Sequence, residues 1–421
     1  MQRLIPILLL YLFVTPVLRA QPFRVLLNRE GEVPVVDAVR TPDNTFDVAR
    51  YPEAYLNYPS AVLTGILPGE ILTAYIKTDS ARSIETVRSL DRGRTWIHEP
   101  FHSNWDGETF RSLSLFHLGQ PPVVSRPADR RSRRTSTRRS NSLALFSGGN
   151  PVMISASYTN GHNWSNFYPA NNFGGFRISG LVQLRNGRIM ALFHDDGRFL
   201  YHDEESDGTP LRKSVIYKIY SDDGGLTWTP PQIALKHNLH GLYDAVIIYS
   251  PSRRDNDLMM IASERETAAA YISFSSDNGD TWSYPEKLPS FIQGDRFGIA
   301  SYKRQLLISY RDMCRTLNNG EPNPTFGDIV LWAGDLRELI RGNGNGIKVR
   351  IADNYPVGGP ADHSDLKFSD CGYVSVLPLA PNEVCVVAYG RWETQELPFV
   401  RNFVLNPVEL RRFILKTELT P

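Results

Sequence analysis

The sequence contains few cysteines, almost no net charge and only one long apolar run, and each of these shortages excludes a class of protein. Three cysteines among 421 residues are too few for a disulfide framework, so we expect buried free thiols, although Cys371 and Cys385 could pair across neighbouring strands. The sequence contains 46 basic and 45 acidic residues, and the resulting formal net charge of +1 does not indicate binding to nucleic acid or a membrane surface. No Cys/His spacing resembles a zinc site, and no motif predicts a cofactor.

The one long apolar run lies at the amino terminus. Arg3 is followed by an apolar segment from Leu4 to Leu18 and then by Ala20, a small residue that suits the last position before cleavage. This pattern predicts a secretory signal peptide over residues 1–20. An uncleaved anchor is the alternative, but the run is short and contains two prolines. We therefore expect a secreted or periplasmic protein without a membrane span after removal of the signal.

An octapeptide of the form S-x-D-x-G-x-T-W occurs three times, at Ser89–Trp96, Ser221–Trp228 and Ser275–Trp282. A fourth, weaker copy at Ser157–Trp164 has Thr159 in place of the aspartate, and successive copies start 68, 64 and 54 residues apart. Such regular repetition indicates an array of similar supersecondary units. The octapeptides are expected in hairpin turns, where Asp and Gly supply local hydrogen bonds and positive φ angles. Long helical periodicity is absent, so the chain is predicted to be all-β.

The octapeptide resembles the Asp-box of sialidases and related β-propellers, in which each copy closes the hairpin between the two outer strands of a blade. The resemblance implies a single six-bladed β-propeller of the sialidase type over residues 21–421, with the octapeptides as scaffold and the functional pocket on the central axis. The strand at Phe23–Val36 is expected to complete the last blade and close the ring. The blades are expected at residues 55–96, 111–164, 176–228, 243–282, 296–351 and 370–413.

A basic segment interrupts the second blade. Residues 126–139 contain seven arginines together with two serines and two threonines, which predicts a solvated, mobile insertion between strands. A contact for a polyanionic glycan is the alternative interpretation.

The resemblance also implies a chemistry. Sialidases combine three arginines that bind the substrate carboxylate, a tyrosine nucleophile, a glutamate that activates the tyrosine, and an aspartate acid/base. The anomeric carbon of sialic acid carries a carboxylate, which repels an anionic nucleophile but tolerates a neutral phenol, and this sets the family apart from glycosidases with two carboxylates. Arginine suits the substrate carboxylate because its planar guanidinium can bind both oxygens at once.

Four residues match this pattern by their place in the blades. Tyr373, at the start of the last blade, is similar to the nucleophile, although a packed tyrosine with no catalytic role would look the same. Asp244 stands where the family has the activating glutamate, with a shorter side chain. Arg265 and Arg311 resemble the second and third arginines, and a strand-end ion pair is the alternative for Arg265.

The first arginine and the acid/base are matched less well. Asn57 occupies the place where the family has the arginine of an Arg-Ile-Pro motif, so that arginine is missing, and Arg177 could supply a third cation from two blades later. Asp79, in the loop after the second strand of blade one, resembles the acid/base, and Asp195 is a second candidate that could instead hold a turn. The remaining candidates for substrate binding are Glu266, Arg296, Asp196 and His194.

These residues predict an exported, exo-acting glycoside hydrolase that cleaves a terminal acidic sugar from a glycan. Because the first arginine is missing, the sugar could be a sialic acid, another ulosonic acid or a uronic acid. A polysaccharide lyase that uses His194 with a tyrosine as base is a second enzyme hypothesis. A non-catalytic glycan-binding propeller is the alternative from another class, since one scaffold hosts many functions. The residues do not indicate an oligomeric state.

Overall fold

The computed structural model describes residues 22–51, 53–78, 83–99, 101, 112–118, 142–200, 213–251, 258–343, 345–354, 370–379, 382–393, 397–417 and 419. Three short strands precede the blades: β1 (Phe23–Leu27), β2 (Val35–Ala38) and β3 (Thr45–Ala49). The predicted signal peptide, Asp79 and the basic segment 126–139 lie outside the described residues.

Six antiparallel sheets follow one another along the chain, as the sequence predicts. The first four are blade one, β4 (Tyr55–Leu63), β5 (Ile71–Thr78), β6 (Ser83–Ser89) and β7 (Ile97–Glu99); blade two, β8 (Ser114–His117), β9 (Leu143–Ser147), β10 (Met153–Ser157) and β11 (Tyr168–Pro169); blade three, β12 (Ile178–Gln183), β13 (Ile189–Asp195), β14 (Val215–Ser221) and β15 (Gln232–Leu235); and blade four, β16 (Leu242–Tyr249), β17 (Leu258–Glu264), β18 (Ala270–Ser275) and β19 (Glu286–Lys287). Blade five contains β20 (Gly294–Tyr302), β21 (Gln305–Asp312), β22 (Ile329–Gly334) and β23 (Gly346–Ala352). Blade six contains β24 (Gly372–Leu379), β25 (Glu383–Gly390) and β26 (Phe399–Leu405).

The first strand of each blade lies innermost, and these strands form a closed ring. Each of β4, β8, β12, β16, β20 and β24 contacts the next in this order, and β24 contacts β4. The chain is therefore a six-bladed β-propeller, which confirms the predicted fold. Closing the ring leaves only short, protected sheet edges at the innermost and outermost strands of the blades.

The strand that closes the ring is not the predicted one. β3 pairs antiparallel with β26 and completes blade six, with Phe46 opposite Asn402. The expected segment Phe23–Val36 instead forms the hairpin of β1 and β2, and β2 pairs in parallel with β23 on the outside of blade five. The prediction of a strand near the amino terminus was correct, but its partner was wrong, because pairing depends on a backbone edge that the sequence does not reveal.

The apolar core lies between adjacent blades. Second and third strands such as β13 and β14 are buried along their whole length, because both sheet faces are covered by neighbouring blades. Five clusters of buried apolar side chains join the successive blades, and the largest joins blades five, six and one. Packing sheet on sheet in this way fixes where each innermost strand lies relative to the axis.

The octapeptides form the turns between the third and fourth strands of blades one to four. In the copy at Ser221–Trp228, the Asp223 carboxylate accepts hydrogen bonds from the Leu226 and Thr227 amides, at 3.0 and 2.9 Å, and from the Thr227 hydroxyl at 2.5 Å. Gly224 and Gly225 have φ angles of 77° and 95°, which glycine adopts without strain. In the weaker copy, Thr159 replaces the carboxylate and its hydroxyl accepts from the Asn163 amide at 2.9 Å.

Two short helices complete the described structure, together with a single 3-10 turn at Ser290–Ile292. α1 (Leu336–Ile340) stands in blade five between β22 and β23, and α2 (Pro407–Lys416) follows blade six. Asn406 begins α2 by accepting from the Val408 and Glu409 amides. None of the helices among the described residues is long and apolar enough to cross a membrane.

Candidate functional site

Four of the innermost strands carry the same backbone irregularity near their beginning. Tyr58, Asp244, Arg296 and Tyr373 have φ angles of 49°, 49°, 57° and 45°. The strand register shifts at each of these positions, which identifies four β-bulges in four blades. Positive φ is strained for residues other than glycine and persists where the surroundings hold it, often at functional sites. The four side chains are therefore the first candidates for a site at the axis.

Tyr373 lies at the centre of this group. Its ring stacks on Tyr58, with the centroids 4.5 Å apart, and on Tyr389 at 6.0 Å. The guanidinium carbons of Arg177 and Arg296 each lie 4.7 Å from the Tyr373 ring centroid. Arg177 directly precedes β12 in blade three, whereas Tyr373 belongs to blade six, so this contact joins opposite blades. The two residues consequently meet on the central axis.

The tyrosine is neutral in this environment. Burial raises the pKa of the Tyr373 phenol well above its ordinary value. The negative charge of Asp244 raises that pKa further, whereas Arg296 and Arg177 lower it. The two arginines thus favour the phenolate, and the low polarity around the ring opposes it.

Asp244 is buried beside His194. Its main-chain amide donates to Nδ1 of His194 at 3.4 Å, and its carboxylate Oδ1 lies 3.7 Å from the same nitrogen. Burial lowers the pKa of His194, so the imidazole is neutral near pH 7, and its ring stacks on Phe176 at 4.9 Å. Within the described residues, no hydrogen bond joins the Asp244 carboxylate to the Tyr373 hydroxyl.

Blade five supplies two arginines that share a carboxylate. Arg311 binds Asp295 through two nitrogens, with Nε 2.9 Å and Nη2 2.5 Å from the two oxygens. Its third nitrogen, Nη1, lies 3.7 Å from Oδ1 of Asp370, and Nη1 of Arg296 is paired with the same oxygen. Burial raises the pKa of Asp370, but Arg296 and a hydrogen bond from Tyr389 outweigh it and hold that pKa below its ordinary value.

Arg265 forms its ion pair with Asp196, which is not one of the residues in contact with Tyr373. Its Nη1 lies 3.4 Å from Oδ2 of Asp196, whose carboxylate Arg198 binds through Nε and Nη2 at 2.8 and 2.7 Å. The side chain of Arg265 is 53% exposed, and Glu266 is exposed beside it. Both arginines keep the pKa of Asp196 low against the effect of burial. Asp196 is thus a shared ion-pair partner of Arg198 and Arg265.

Asp195 serves the turn that follows β13. Its carboxylate accepts from the amides of Gly197 at 2.8 Å and Leu200 at 3.0 Å, and more weakly from that of Phe199. The side chain is fully buried and directed into its own loop. The structure thus favours the turn-forming alternative for this residue over a role as acid.

Three further tyrosines and two aspartates belong to the site but were not singled out in the sequence. They are Tyr55, Tyr58, Tyr389, Asp295 and Asp370. Tyr58 lies in the very Asn57-Tyr58-Pro59 segment in which an arginine was expected. A systematic comparison of the first residues of all innermost strands would have aligned Tyr58 with Tyr373, since both precede a bulge.

Comparisons with known proteins bear on the fold. The chain matches no protein-family profile and no curated protein sequence. Among solved structures, a protein of unknown function from Dyadobacter fermentans shares 16% identity at a TM-score of 0.60, covering 92% of this chain and all of the other. The Hadza microbial sialidase Hz136 shares 14% identity at a TM-score of 0.53, covering 89% of this chain and 69% of that sialidase.

The Trypanosoma rangeli sialidase, solved with a difluoro ulosonic acid, shares 12% identity at a TM-score of 0.51, covering 94% of this chain. This chain spans 60% of the length of that enzyme. Identities this low establish likeness of fold and do not transfer an activity. The chain therefore has the six-bladed propeller fold of the sialidases, and its function has to be argued from its own axial residues.

Proposed function

We propose that this chain is an exported, exo-acting glycoside hydrolase that removes a terminal acidic sugar, with Tyr373 as the nucleophile. The observation that carries the proposal is the meeting of a neutral phenol with two guanidinium groups on the propeller axis, the place where ligands enter this fold. A neutral nucleophile suits an anomeric carbon that bears a carboxylate, because the carboxylate repels an anionic one.

In the first step, Oη of Tyr373 bonds to the anomeric carbon while the bond to the leaving oxygen breaks. The phenolic proton is proposed to pass to Asp244 through a bridging water, since the contacts of Asp244 among the described residues are to His194 and not to the Tyr373 hydroxyl. Asp79 is the proposed acid that protonates the leaving oxygen, and it lies outside the described residues. In the second step, water attacks the anomeric carbon and gives a proton to the carboxylate of Asp79, while the bond to Oη of Tyr373 breaks and the phenolate regains its proton from Asp244, so the configuration is retained.

Recognition of the acidic sugar is proposed to involve Arg177. Its Nε is buried and has no hydrogen-bond partner, and no acidic side chain among the described residues forms an ion pair with it. A buried guanidinium nitrogen without a partner costs free energy that a substrate carboxylate or hydroxyl would recover. Arg177 thus takes the place of the arginine that is missing at Asn57, from a position two blades farther along the ring.

The first experiment is hydrolysis of a fluorogenic α-sialoside and a fluorogenic β-glucuronide by residues 21–421. We expect turnover of one substrate, and a loss of kcat of about 100-fold or more in Tyr373→Phe. Tyr158→Phe is the matched control, because Tyr158 is 51% exposed in an octapeptide turn and should keep full activity. Unchanged kcat in Tyr373→Phe would exclude Tyr373 as the nucleophile.

A non-catalytic glycan-binding propeller is the second candidate. It is favoured by the absence of a hydrogen bond between Asp244 and Tyr373, and by the ion pairs that already engage Arg265 and Arg311. This function predicts saturable binding of an acidic glycan without turnover of either substrate. Calorimetric titration with sialyllactose, in parallel with the hydrolysis assay, separates the two functions. Release of unsaturated, ultraviolet-absorbing products from a uronate polymer would instead indicate a lyase.

A further inference from the structure

The Asp370 carboxylate is held by four donors from three blades. Its Oδ2 accepts from the hydroxyls of Tyr389, at 2.5 Å, and Tyr55, at 3.2 Å. Its Oδ1 pairs with Nη1 of Arg296 and lies 3.7 Å from Nη1 of Arg311. We refer to the four donors, Tyr55, Tyr389, Arg296 and Arg311, as the carboxylate cradle.

The cradle is built independently of Asp370. Arg311 is fixed by its two bonds to Asp295, and Tyr389 is fully buried with the edge of Tyr55 against it at 6.1 Å. Arg296 is further anchored by a hydrogen bond to the Cys371 carbonyl oxygen. Donors that are already positioned lose little conformational freedom when they bind a carboxylate. The cradle would therefore bind any small carboxylate that reached it.

The cradle also adjoins the proposed nucleophile. Arg296 contacts both Asp370 and the ring of Tyr373, and Tyr389 stacks on that ring at 6.0 Å. The side chain of Asp370 itself is 45% exposed, so it can turn towards solvent without leaving a buried cavity. A substrate carboxylate that took its place would preserve the charge balance of the two buried guanidinium groups.

We propose that Asp370 is a built-in competitor, which fills the carboxylate cradle in the free protein and is displaced when an acidic sugar binds. The class of sugar in this inference rests on the proposed function. The sugar can enter the cradle only in those molecules from which Asp370 has moved away. Its apparent Kd is therefore the intrinsic Kd divided by that fraction of molecules, and the apparent affinity is lower than the intrinsic one. Asp370 thereby lowers the affinity for every sugar that places its carboxylate in the cradle, and does not affect ligands that bind without entering it.

The test is calorimetric titration of wild type and Asp370→Ala with N-acetylneuraminic acid and glucuronic acid. We expect the Kd for at least one acid to fall by about tenfold or more in the variant, while the methyl ester of that acid shows no gain. Asp47→Ala is the matched control, because Asp47 is 38% exposed and also pairs with an arginine, Arg401, on an outer strand. It should leave every Kd unchanged.

A second measurement does not depend on the sugar. Sodium acetate should raise the melting temperature of Asp370→Ala in a saturable manner and leave the wild type unaffected, with sodium chloride at equal ionic strength as reference. If Asp370→Ala does not fold, Asp370→Asn removes the charge and retains the shape. Weaker or unchanged binding of both acids by a folded variant, with no effect of acetate, would overturn the inference.

The two proposals fail in different ways. If the variant gains affinity for an acid but wild type hydrolyses neither substrate, the hydrolase function fails and the displacement of Asp370 stands. If wild type is active and Asp370→Ala binds acids less tightly, the inference fails and the function stands.

Discussion

The guanidinium of Arg177 in blade three lies over the ring of Tyr373 in blade six, with the guanidinium carbon 4.7 Å from the ring centroid. This contact crosses the axis and joins two blades whose strands belong to separate sheets. In the proposed function, an acidic sugar on the axis would contact both residues. The pair marks the place where the sugar ring is proposed to lie.

Replacing Arg177 should weaken the binding of an acidic sugar. A hydrogen bond to a charged group contributes about 1.5–3 kcal/mol, so Arg177→Ala is expected to raise KM for an acidic substrate by about 10- to 100-fold. Arg177→Lys should recover only part of the loss, because lysine keeps the charge without the planar contact to Tyr373. Arg185→Ala is the control, since Arg185 lies over the Tyr249 ring at an exposed hairpin. Equal KM values in all three variants would contradict a role for Arg177.

Replacing Asp244 by asparagine should lower the catalytic rate without lowering the stability of the fold. Asparagine tolerates the φ angle of 49° at this position, so the melting temperature should change little. If Asp244 accepts the proton of Tyr373, kcat should fall by about 100-fold or more, and the loss should persist across the pH range. Asp196→Asn, which removes another buried carboxylate that is paired with Arg198 and Arg265, serves as the comparison. A similar fall in both variants would indicate a general electrostatic effect.

The octapeptide turns should lose stability in acid. Burial tends to raise the pKa of Asp223, but hydrogen bonds from Thr227 and Ser221 outweigh it and lower that pKa to about 2, against 3.8 for an ordinary aspartate. A depressed pKa adds stability above pH 3.8, which is lost as the pH falls towards 2. Asp223→Asn should therefore lower the urea midpoint at pH 7, and its difference from wild type should shrink near pH 2. A difference that does not depend on pH would exclude this origin.

Lys218 links blades three and four. Its buried ammonium donates to the carbonyl oxygens of Gly279 at 2.7 Å and Asp280 at 2.6 Å, in the octapeptide turn of the next blade. Lys218→Met keeps the length of the side chain but leaves two carbonyls without this donor, and should destabilise the fold by about 2–3 kcal/mol. Lys287→Met, at an exposed position of β19, should be close to neutral. Equilibrium unfolding in urea compares the two variants. Equal urea midpoints would contradict a stabilising contact of Lys218 between blades three and four.

The scaffold could be predicted from the sequence because its signal is local. Each octapeptide makes its hydrogen bonds within its own turn, as between Ser221 and Gly225 at 2.8 Å, so eight residues suffice to recognise it. The same holds for Tyr373 as a candidate, since its place at the start of the last blade follows from counting blades. The partner of β3 could not be found in this way, because a strand of five residues carries no information on which distant edge it meets.

The centre of the site was predicted only in part, because its contacts are not local in the sequence. The sequence identified Arg296 as a candidate for substrate binding but did not predict where its side chain lies. Its place over Tyr373 depends on a β-bulge that cannot be recognised from the residue types. Asp370 resembles any aspartate before a strand until Arg296, Arg311 and Tyr389 are brought around it from two blades. Contacts of this kind arise from residues far apart in sequence, and one sequence does not reveal them.

The pairing of β3 with β26 has a consequence for how the protein folds. Asp47 and Arg401, which pair across this junction, are separated by 354 residues, so the chain has to bring its two ends together before blade six is complete. Contacts of such long range slow folding, because the entropy of closing the loop is lost before the contact forms. We expect an open ring with an unpaired β26 edge as the long-lived species in refolding. Such an edge can join another chain, so aggregation should compete with folding most strongly at this stage.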